Sequence, residues 1–127
     1  MAIRTELSLR LPNSPGALAG VCRLLADERV NILALAVEAN GQLRMVVDNH
    51  VRGVGVLRER HHRVEARDVL VLPVASAPGA LVPVLTLVAD AGINVEYAYG
   101  AAPETSVSAV VVLGVDDPLR AAARAGV

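Results

Sequence analysis

Aromatic side chains are almost absent from this sequence of 127 residues, which contains two tyrosines, Tyr97 and Tyr99, and no phenylalanine or tryptophan. Hydrophobic residues nevertheless make up 54% of the chain, and the mean hydropathy is +0.48. A core must therefore be built from valine, leucine, isoleucine and alanine. This apolar content excludes a disordered chain, and the length fits one domain or two very small ones.

Cysteine occurs once, at Cys22, so no disulfide can form within the chain, and we expect a small buried hydrophobe there. Lysine is absent, all 12 basic residues are arginine, and the net charge is −1. Without a basic cluster, the composition argues against a nucleic-acid partner. No cysteine pair or paired carboxylate frames His50, His61 and His62. We therefore expect neither a metal site nor a cofactor.

A membrane span is excluded by the prolines in the longest uncharged run, which lies between Asp68 and Asp90. This run has the length of a span, but Pro73, Pro78 and Pro83 would interrupt the hydrogen bonds of a helix. The first eleven residues also lack the apolar centre of a signal peptide, because charged residues interrupt them. We expect a cytoplasmic protein that does not contact a membrane.

The tetrapeptide Pro-Gly-Ala-Leu occurs twice, beginning at Pro15 and again 63 residues later at Pro78. Residues 15–32 read PGALAGVCRLLADERVNI and residues 78–95 read PGALVPVLTLVADAGINV, with nine of eighteen positions identical. Leucines of the preceding strands also match at the same spacing. Such a match indicates an internal repeat, which dominates the interpretation of the fold.

The two halves follow one predicted order of elements. Alternating leucines predict a strand, and an apolar stripe from Leu18 to Leu25 predicts a helix. The predicted elements of the first half are a strand over 5–11, a helix from Pro15, strands over 33–39 and 42–47 around the Asn40-Gly41 turn, a helix over 51–60 and a strand over 64–72. This βαββαβ order is ferredoxin-like.

In the second half we predict a strand to Val74, a helix over 78–91, strands over 95–99 and 107–115, and a helix from Pro118 with Asp116 or Asp117 as its N-cap. No residues remain for a last strand, so we expect that sheet edge to be empty or covered by another chain. The fold class is α+β, a ferredoxin-like βαββαβ unit repeated twice, with antiparallel sheets and helices on one face. The expected domains are residues 1–67 and 68–127.

The repeated Pro-Gly turn joins a strand to the start of a helix, where unpaired backbone N–H groups and the helix dipole favour an anion. Glycine, which has no Cβ, lets a ligand approach the backbone closely. The turn therefore suits a carboxylate or a phosphate. A helix that is merely well capped is the alternative that the turn alone leaves open.

PNSPGALAGVCRLLADERVNI, residues 12–32, resembles the signature of the ACT domain, and SAPGALVPVLTLVADAGINV, residues 76–95, resembles it again. The chain is similar in particular to short bacterial proteins made only of two ACT domains. This resemblance implies a non-catalytic, allosteric regulatory protein that binds a free amino acid, often at an interface between ACT units. It also implies an enzyme of amino-acid metabolism as a partner. The missing last strand favours self-association, and because two-fold dimers are the commonest oligomers, we expect a homodimer.

In ACT domains the strand-to-helix loop and the asparagine after the helix contact the ligand. By position, the resemblance implies these ligand-binding residues: Asn13, Ser14, Gly16, Ala17, Leu18 and Asn31 in the first copy, and Ser76, Gly79, Ala80, Leu81 and Asn94 in the second. Ser76 and Ala77 replace Asn13 and Ser14, so we do not expect two equivalent sites. Asparagine also ends helices because it tolerates positive φ, a role that does not exclude ligand contact.

Two other functions remain open. A regulatory subunit that acts by protein contact, similar to the small subunit of acetohydroxyacid synthase, would also carry ACT-like units. Residues 50–60, HVRGVGVLRER, faintly resemble the phosphate loop of acylphosphatases, although Arg58 comes one residue late and the segment follows the third strand. We assign no catalytic residue. Tyr97 and Tyr99 share one face of a strand, where we expect core or interface packing.

Overall fold

A computed structural model describes residues 2–102, 104 and 108–124. The described residues form six strands and four helices, which confirms the α+β class. The elements are β1 (Ala2–Arg10), α1 (Ala17–Asp27), β2 (Ile32–Val37), β3 (Gln42–Val47), α2 (His50–Glu59), β4 (Glu65–Ala75), α3 (Val82–Asp90), β5 (Val95–Ala101), β6 (Ser108–Val115) and α4 (Pro118–Arg124). Val107, predicted as the start of a strand, lies outside the described residues.

The chain divides into two compact units. The first unit consists of residues 5–67, and the second combines residues 2–4 with the described residues from Asp68 onward. Two strands contribute to both units, since β1 is divided after Arg4 and β4 after Arg67. None of the helices in the described part of the chain is long and apolar enough to cross a membrane.

In the first unit the strand order is β2-β3-β1, and both pairings are antiparallel. Leu7 lies opposite Met45 and Leu9 opposite Leu43, so these four side chains share one face of the sheet. Helices α1 and α2 cover that face, and their side chains join the same core. The buried residues of this core are Leu7, Leu9, Leu11, Val21, Leu25, Val30, Leu43, Met45, Val47, Leu57 and Val64. The arrangement is ferredoxin-like.

In the second unit the order is β4-β6-β5, again with antiparallel pairing. Leu70 lies opposite Leu113, and helices α3 and α4 pack onto this face. The core is smaller and contains no aromatic ring. Its buried residues are Leu70, Leu72, Val88, Ala91, Ile93, Leu113, Val115, Ala121 and Ala122. Aliphatic side chains thus fill both cores, as the composition predicts.

The edge of the second unit that we expected to be empty or covered by another chain is occupied by the chain's own N-terminal residues. Strand β1 neighbours β4 in the strand order, and residues 2–4 belong to the second unit. Ile3 packs against the core of this unit. The expectation failed because periodicity reveals a strand but not which sheet its first residues enter.

Helix α3 begins later than the repeat predicts, at Val82, whereas α1 begins at Ala17. Gly20 donates the first i→i−4 hydrogen bond of α1, to Gly16 O at 2.9 Å. Pro83 stands at the equivalent position and has no N–H to donate. The first such bond of α3 therefore runs from Leu85 N–H to Leu81 O, at 3.1 Å.

Residues 50–60 do not form the phosphate loop that their sequence faintly resembles. Residues 50–59 are helix α2, and the Arg58 guanidinium donates a hydrogen bond to Val64 O at 3.2 Å. A helix directs its amides along its own axis, so this segment cannot wrap a phosphate as a loop does. Cys22 is half-buried rather than buried. Within the described residues, no group of three or more His, Cys, Asp or Glu could hold a metal ion.

We predict that Ile3→Ala lowers the free energy of unfolding by about 1–2 kcal/mol, less than a fully buried isoleucine would lose. The reason is that Ile3 completes the core of the second unit. Urea denaturation followed by far-UV circular dichroism measures this change. Ala2→Ser, at an exposed neighbouring position, should leave the stability within about 0.5 kcal/mol. Equal effects of the two substitutions would exclude a packing role for this strand end.

Candidate functional site

Each unit contains a solvent-exposed cleft at its Pro-Gly loop. The N-terminal cleft has a volume of about 540 Å³ and is lined by residues 11–14, 16–19 and 37–41. The C-terminal cleft has a volume of about 720 Å³ and is lined by residues 74–82, 98–102, 109 and 111. In both units the loop after the first strand forms one wall, and the end of the edge strand, β2 or β5, forms the other. The repeat in the sequence therefore corresponds to a repeat in surface shape.

The structure brings together nine of the eleven residues singled out as ligand-binding candidates. The N-terminal cleft is lined by Asn13, Ser14, Gly16, Ala17 and Leu18, and the C-terminal cleft by Ser76, Gly79, Ala80 and Leu81. Asn31 and Asn94 do not line either cleft. Helix α1 has 11 residues, and at about 1.5 Å per residue it separates Asn31 from the Pro-Gly loop by about 16 Å.

A glycine with positive φ makes the turn in both loops. Gly16 has φ 83° and Gly79 has φ 76°, values that side chains with a Cβ rarely adopt. This conformation reverses the chain within a few residues, so that the helix starts directly beside the strand end. A Cβ at either glycine would meet no atom within 4 Å. The requirement for glycine is therefore one of backbone conformation, not of space.

The starts of α1 and α3 carry no side-chain cap, unlike those of the other two helices. Asn49 Oδ1 accepts a hydrogen bond from Arg52 N–H at 3.1 Å at the start of α2. Asp117 Oδ1 accepts one from Arg120 N–H at 3.0 Å at the start of α4, which confirms the predicted cap. The repeated Pro-Gly turn is thus not merely a well-capped helix start.

Backbone N–H groups remain available in the walls of both clefts. Among the described residues, no hydrogen bond is donated by the amides of Leu18 and Ala19 in the first cleft, or by that of Leu81 in the second. Amides at a helix start also lie at the positive end of the helix dipole. Both clefts can therefore accept an anionic group of a ligand.

The N-terminal cleft has a polar wall that the sequence motifs do not indicate. Glu38 lines it, and its Oε1 accepts from Arg44 Nε at 3.1 Å, so the carboxylate is held in place. Asn40 lies in the same wall, and its backbone carbonyl accepts a hydrogen bond from Arg10 Nη1 at 2.9 Å. No periodicity signals these residues, because they belong to a hairpin that reaches the cleft only once β2 and β3 have paired.

Asn31 and Asn94 instead lie directly before the edge strands, where the same pair of hydrogen bonds forms in each unit. Asn31 N–H donates to Asp48 Oδ1 at 2.9 Å, and Asp48 N–H donates to Asn31 O at 3.0 Å. Asn94 N–H donates to Asp116 Oδ1 at 3.2 Å, and Asp116 N–H donates to Asn94 O at 3.3 Å. These contacts use the backbone of each asparagine and fix where its strand starts.

In each unit an arginine of the second helix donates a hydrogen bond to a backbone carbonyl at the C-terminal end of the first helix. Arg52 Nε donates to Glu28 O at 3.0 Å, and Arg120 Nη2 donates to Ala91 O. Both acceptors are C-cap residues, where a cation satisfies free carbonyls and complements the dipole. The sequence carries a signal for this contact, since DNHVR at 48–52 and DDPLR at 116–120 share the Asp-x-x-x-Arg spacing.

Residues 5–66 match the model of the ACT domain family. Among solved structures, the chain is similar to protein BT0572 from Bacteroides thetaiotaomicron, with 29% identity and a TM-score of 0.88 over 98% of this chain and 87% of that one. It is also similar in fold to the regulatory subunit of aspartate kinase from Thermus thermophilus (19% identity, TM-score 0.71, 98% and 92% covered). No curated protein matches the chain.

A further similarity in fold is to E. coli aspartokinase III in complex with lysine and aspartate, with 16% identity and a TM-score of 0.59. It covers 95% of this chain and 31% of that enzyme. The solved structures thus match the chain along almost its whole length, whereas the family model matches the first unit.

We predict opposite effects for alanine at two glycines that both have open space around them. Gly16→Ala should lower the free energy of unfolding by about 1–2 kcal/mol, because alanine is strained at positive φ. Gly20→Ala, four residues on within α1, should raise it by about 0.5–1 kcal/mol, since glycine weakens a helix interior. Urea denaturation of both variants tests this pair, and a shift of the same sign in both would contradict it.

Proposed function

We propose that the chain is a non-catalytic, cytoplasmic regulatory protein that binds a free amino acid at its Pro-Gly loops. The observation that carries this proposal is the difference between the helix starts of each unit. Helices α2 and α4 are capped by side chains, whereas α1 and α3 present uncapped amides to a cleft. A free α-carboxylate would supply the hydrogen-bond acceptor that these amides lack.

The N-terminal cleft offers partners for both charges of a zwitterion. The amides of Leu18 and Ala19 would receive the α-carboxylate. On the opposite wall, the Glu38 carboxylate and the exposed side chain of Asn40 offer acceptors for an ammonium group, and the exposed side chain of Asn13 offers one on the loop itself. An amino acid would bridge the loop and the end of β2. The match of residues 5–66 to the ACT domain family and the aspartate kinase regulatory subunit of similar fold support a role in sensing amino acids.

We propose further that the second unit is also an ACT domain and that two copies of the chain associate. The shared Pro-Gly-Ala-Leu turn and the paired Asn–Asp and Arg–carbonyl contacts support the first point. Exposed apolar side chains on the edge strand β2, at Leu33, Leu35 and Val37, support the second. In a homodimer, Asn31 and Asn94 would contact a ligand held by another copy, because neither reaches the cleft of its own unit.

Regulation would follow from the ligand's preference for one arrangement of the dimer. A ligand shifts an equilibrium between two arrangements only by the difference in its affinity for them. An amino acid held between two copies would favour the arrangement in which both contact it. The regulated partner would be an enzyme of amino-acid metabolism.

A regulator that acts by protein contact alone is the second candidate. The exposed stripe of Leu33, Leu35 and Val37 favours it, because an edge strand with apolar side chains can pair with a strand of another protein. Such a regulator would need no small ligand, which separates it from the amino-acid sensor.

Isothermal titration calorimetry with the twenty amino acids tests the proposed function. We expect at least one to bind with a dissociation constant below about 1 mM, which corresponds to about 4 kcal/mol. Sedimentation equilibrium should give the mass of a dimer. The matching amino-acid amide, which lacks the α-carboxylate, is the control and should not bind. If none of the twenty produces heat or stabilises the protein against thermal unfolding, the sensor is excluded and the contact regulator is favoured.

A further inference from the structure

The two clefts share one backbone design but differ in chemistry at three equivalent positions. Ser76 stands where the first unit has Asn13, Ala77 where it has Ser14, and Ala101 where it has Glu38. Each replacement removes a polar group or shortens it. The C-terminal cleft has therefore lost the carboxylate and the amide that line its counterpart.

No charged residue is found among the described residues that line the C-terminal cleft. Its walls are formed by alanine, valine, leucine, proline and glycine, with Ser76 and Tyr99 as the residues that have polar side chains. Its volume of about 720 Å³ lies within the range of about 300–1,000 Å³ that is typical of small-molecule sites. Such sites are mostly apolar and carry a few well-placed polar groups, as this cleft does.

Apolar side chains at the mouth of this cleft remain exposed to water. Leu81 is 40% exposed and Val82 is 62% exposed, and both line the cleft. A ligand with an aliphatic side chain would cover part of this surface, which is favourable in proportion to the apolar area removed from water. A charged side chain would lose its hydration there without gaining a partner.

We infer that the C-terminal cleft is selective for free amino acids with aliphatic side chains, and that the N-terminal cleft does not share this selectivity. The inference rests on the proposed function and adds the class of ligand and the unit that binds it. The α-carboxylate would accept from the Leu81 amide at the start of α3, and the side chain would lie between the loop and the end of β5. In the N-terminal cleft, Glu38 would favour ligands with an additional ammonium or other donor group.

Intrinsic fluorescence can locate the bound ligand, because Tyr97 and Tyr99 are the only aromatic residues in the sequence. Both lie on β5, with ring centroids 6.4 Å apart, and Tyr99 lines the C-terminal cleft. A ligand in this cleft should change the tyrosine emission. No aromatic residue is found in the part of the N-terminal cleft's lining that the structure describes.

The test measures calorimetric affinity and tyrosine emission for alanine, 2-aminobutyrate and norvaline, and for lysine and glutamate as charged competitors. Affinity should rise about fourfold with each added methylene, and emission should change with the same midpoint as the heat. Lysine and glutamate should not change the emission at concentrations that saturate norvaline binding.

Ala101→Glu places the carboxylate of the first cleft into the second and should weaken norvaline binding at least tenfold. Ala101→Gln is the matched control for size and should weaken it by less than threefold, because it adds no charge. Glu38→Ala should leave the norvaline-induced change in tyrosine emission and its midpoint unaltered, because this signal reports the C-terminal cleft and Glu38 lines the other one. Circular dichroism and thermal unfolding verify that all three variants fold.

The outcomes separate this inference from the proposed function. Binding that favours lysine or glutamate, or that Glu38→Ala abolishes while Ala101→Glu does not, would overturn the inference and leave the amino-acid sensor standing. Binding of norvaline without any change in tyrosine emission would also overturn it. Absence of binding by every amino acid tested would reject the proposed function and the inference together.

Discussion

A backbone that turns back on itself at a single residue determines the geometry of both clefts. At Gly16 and at Gly79 the chain takes positive φ, and in each unit the helix starts seven residues after the strand ends. The residues at the N-cap positions, Gly16 and Leu81, have no side-chain acceptor, so amides stay open at the start of each helix. The same turn therefore shapes the cleft and leaves it with hydrogen-bond donors.

The two units share this turn but differ in the size of the core and in the polarity of the cleft. The first has a core of eleven buried residues and a cleft whose polar rim is held by the Glu38–Arg44 ion pair. Among the residues that the structure describes, the second has a core cluster of nine buried residues, a proline in the first turn of its helix and a cleft lined by no charged side chain. The repeated loops thus differ in the residues that line the clefts. The hydrogen bonds just before the edge strands, Asn31–Asp48 and Asn94–Asp116, occur in both units.

Most of the fold could be predicted from the sequence, because its signals are local. Leucine alternation, the Asn40-Gly41 turn and the Asp117-Pro118 helix start each act within a few residues, and all lie where the structure has the corresponding elements. The strand position of residues 2–4 and the polar rim at Glu38 and Asn40 depend on which strands pair. Strand pairing brings together residues that are far apart in sequence. The hydrophobic periodicity of a strand does not predict which other strand it pairs with.

Some of the candidate site residues could likewise be placed from local sequence signals, and others could not. The loop residues could be located by the repeated tetrapeptide, since helix start and cleft wall are one segment. The positions of Asn31 and Asn94 could not, because a helix length separates them from the loop that the sequence associates with them. Arg52 and Arg120 were missed although DNHVR and DDPLR share a spacing, since the residues between the repeats differ in number.

The contribution of residues 2–4 to the second unit has a consequence for the rate of folding. These residues are more than 60 positions away from Asp68, where the rest of the second unit begins (68 − 4 = 64). Contacts between residues far apart in sequence require the closure of a long loop, and proteins with many such contacts fold slowly. The contacts of Ile3 with the second core should therefore form late in folding, after the local turns and helices.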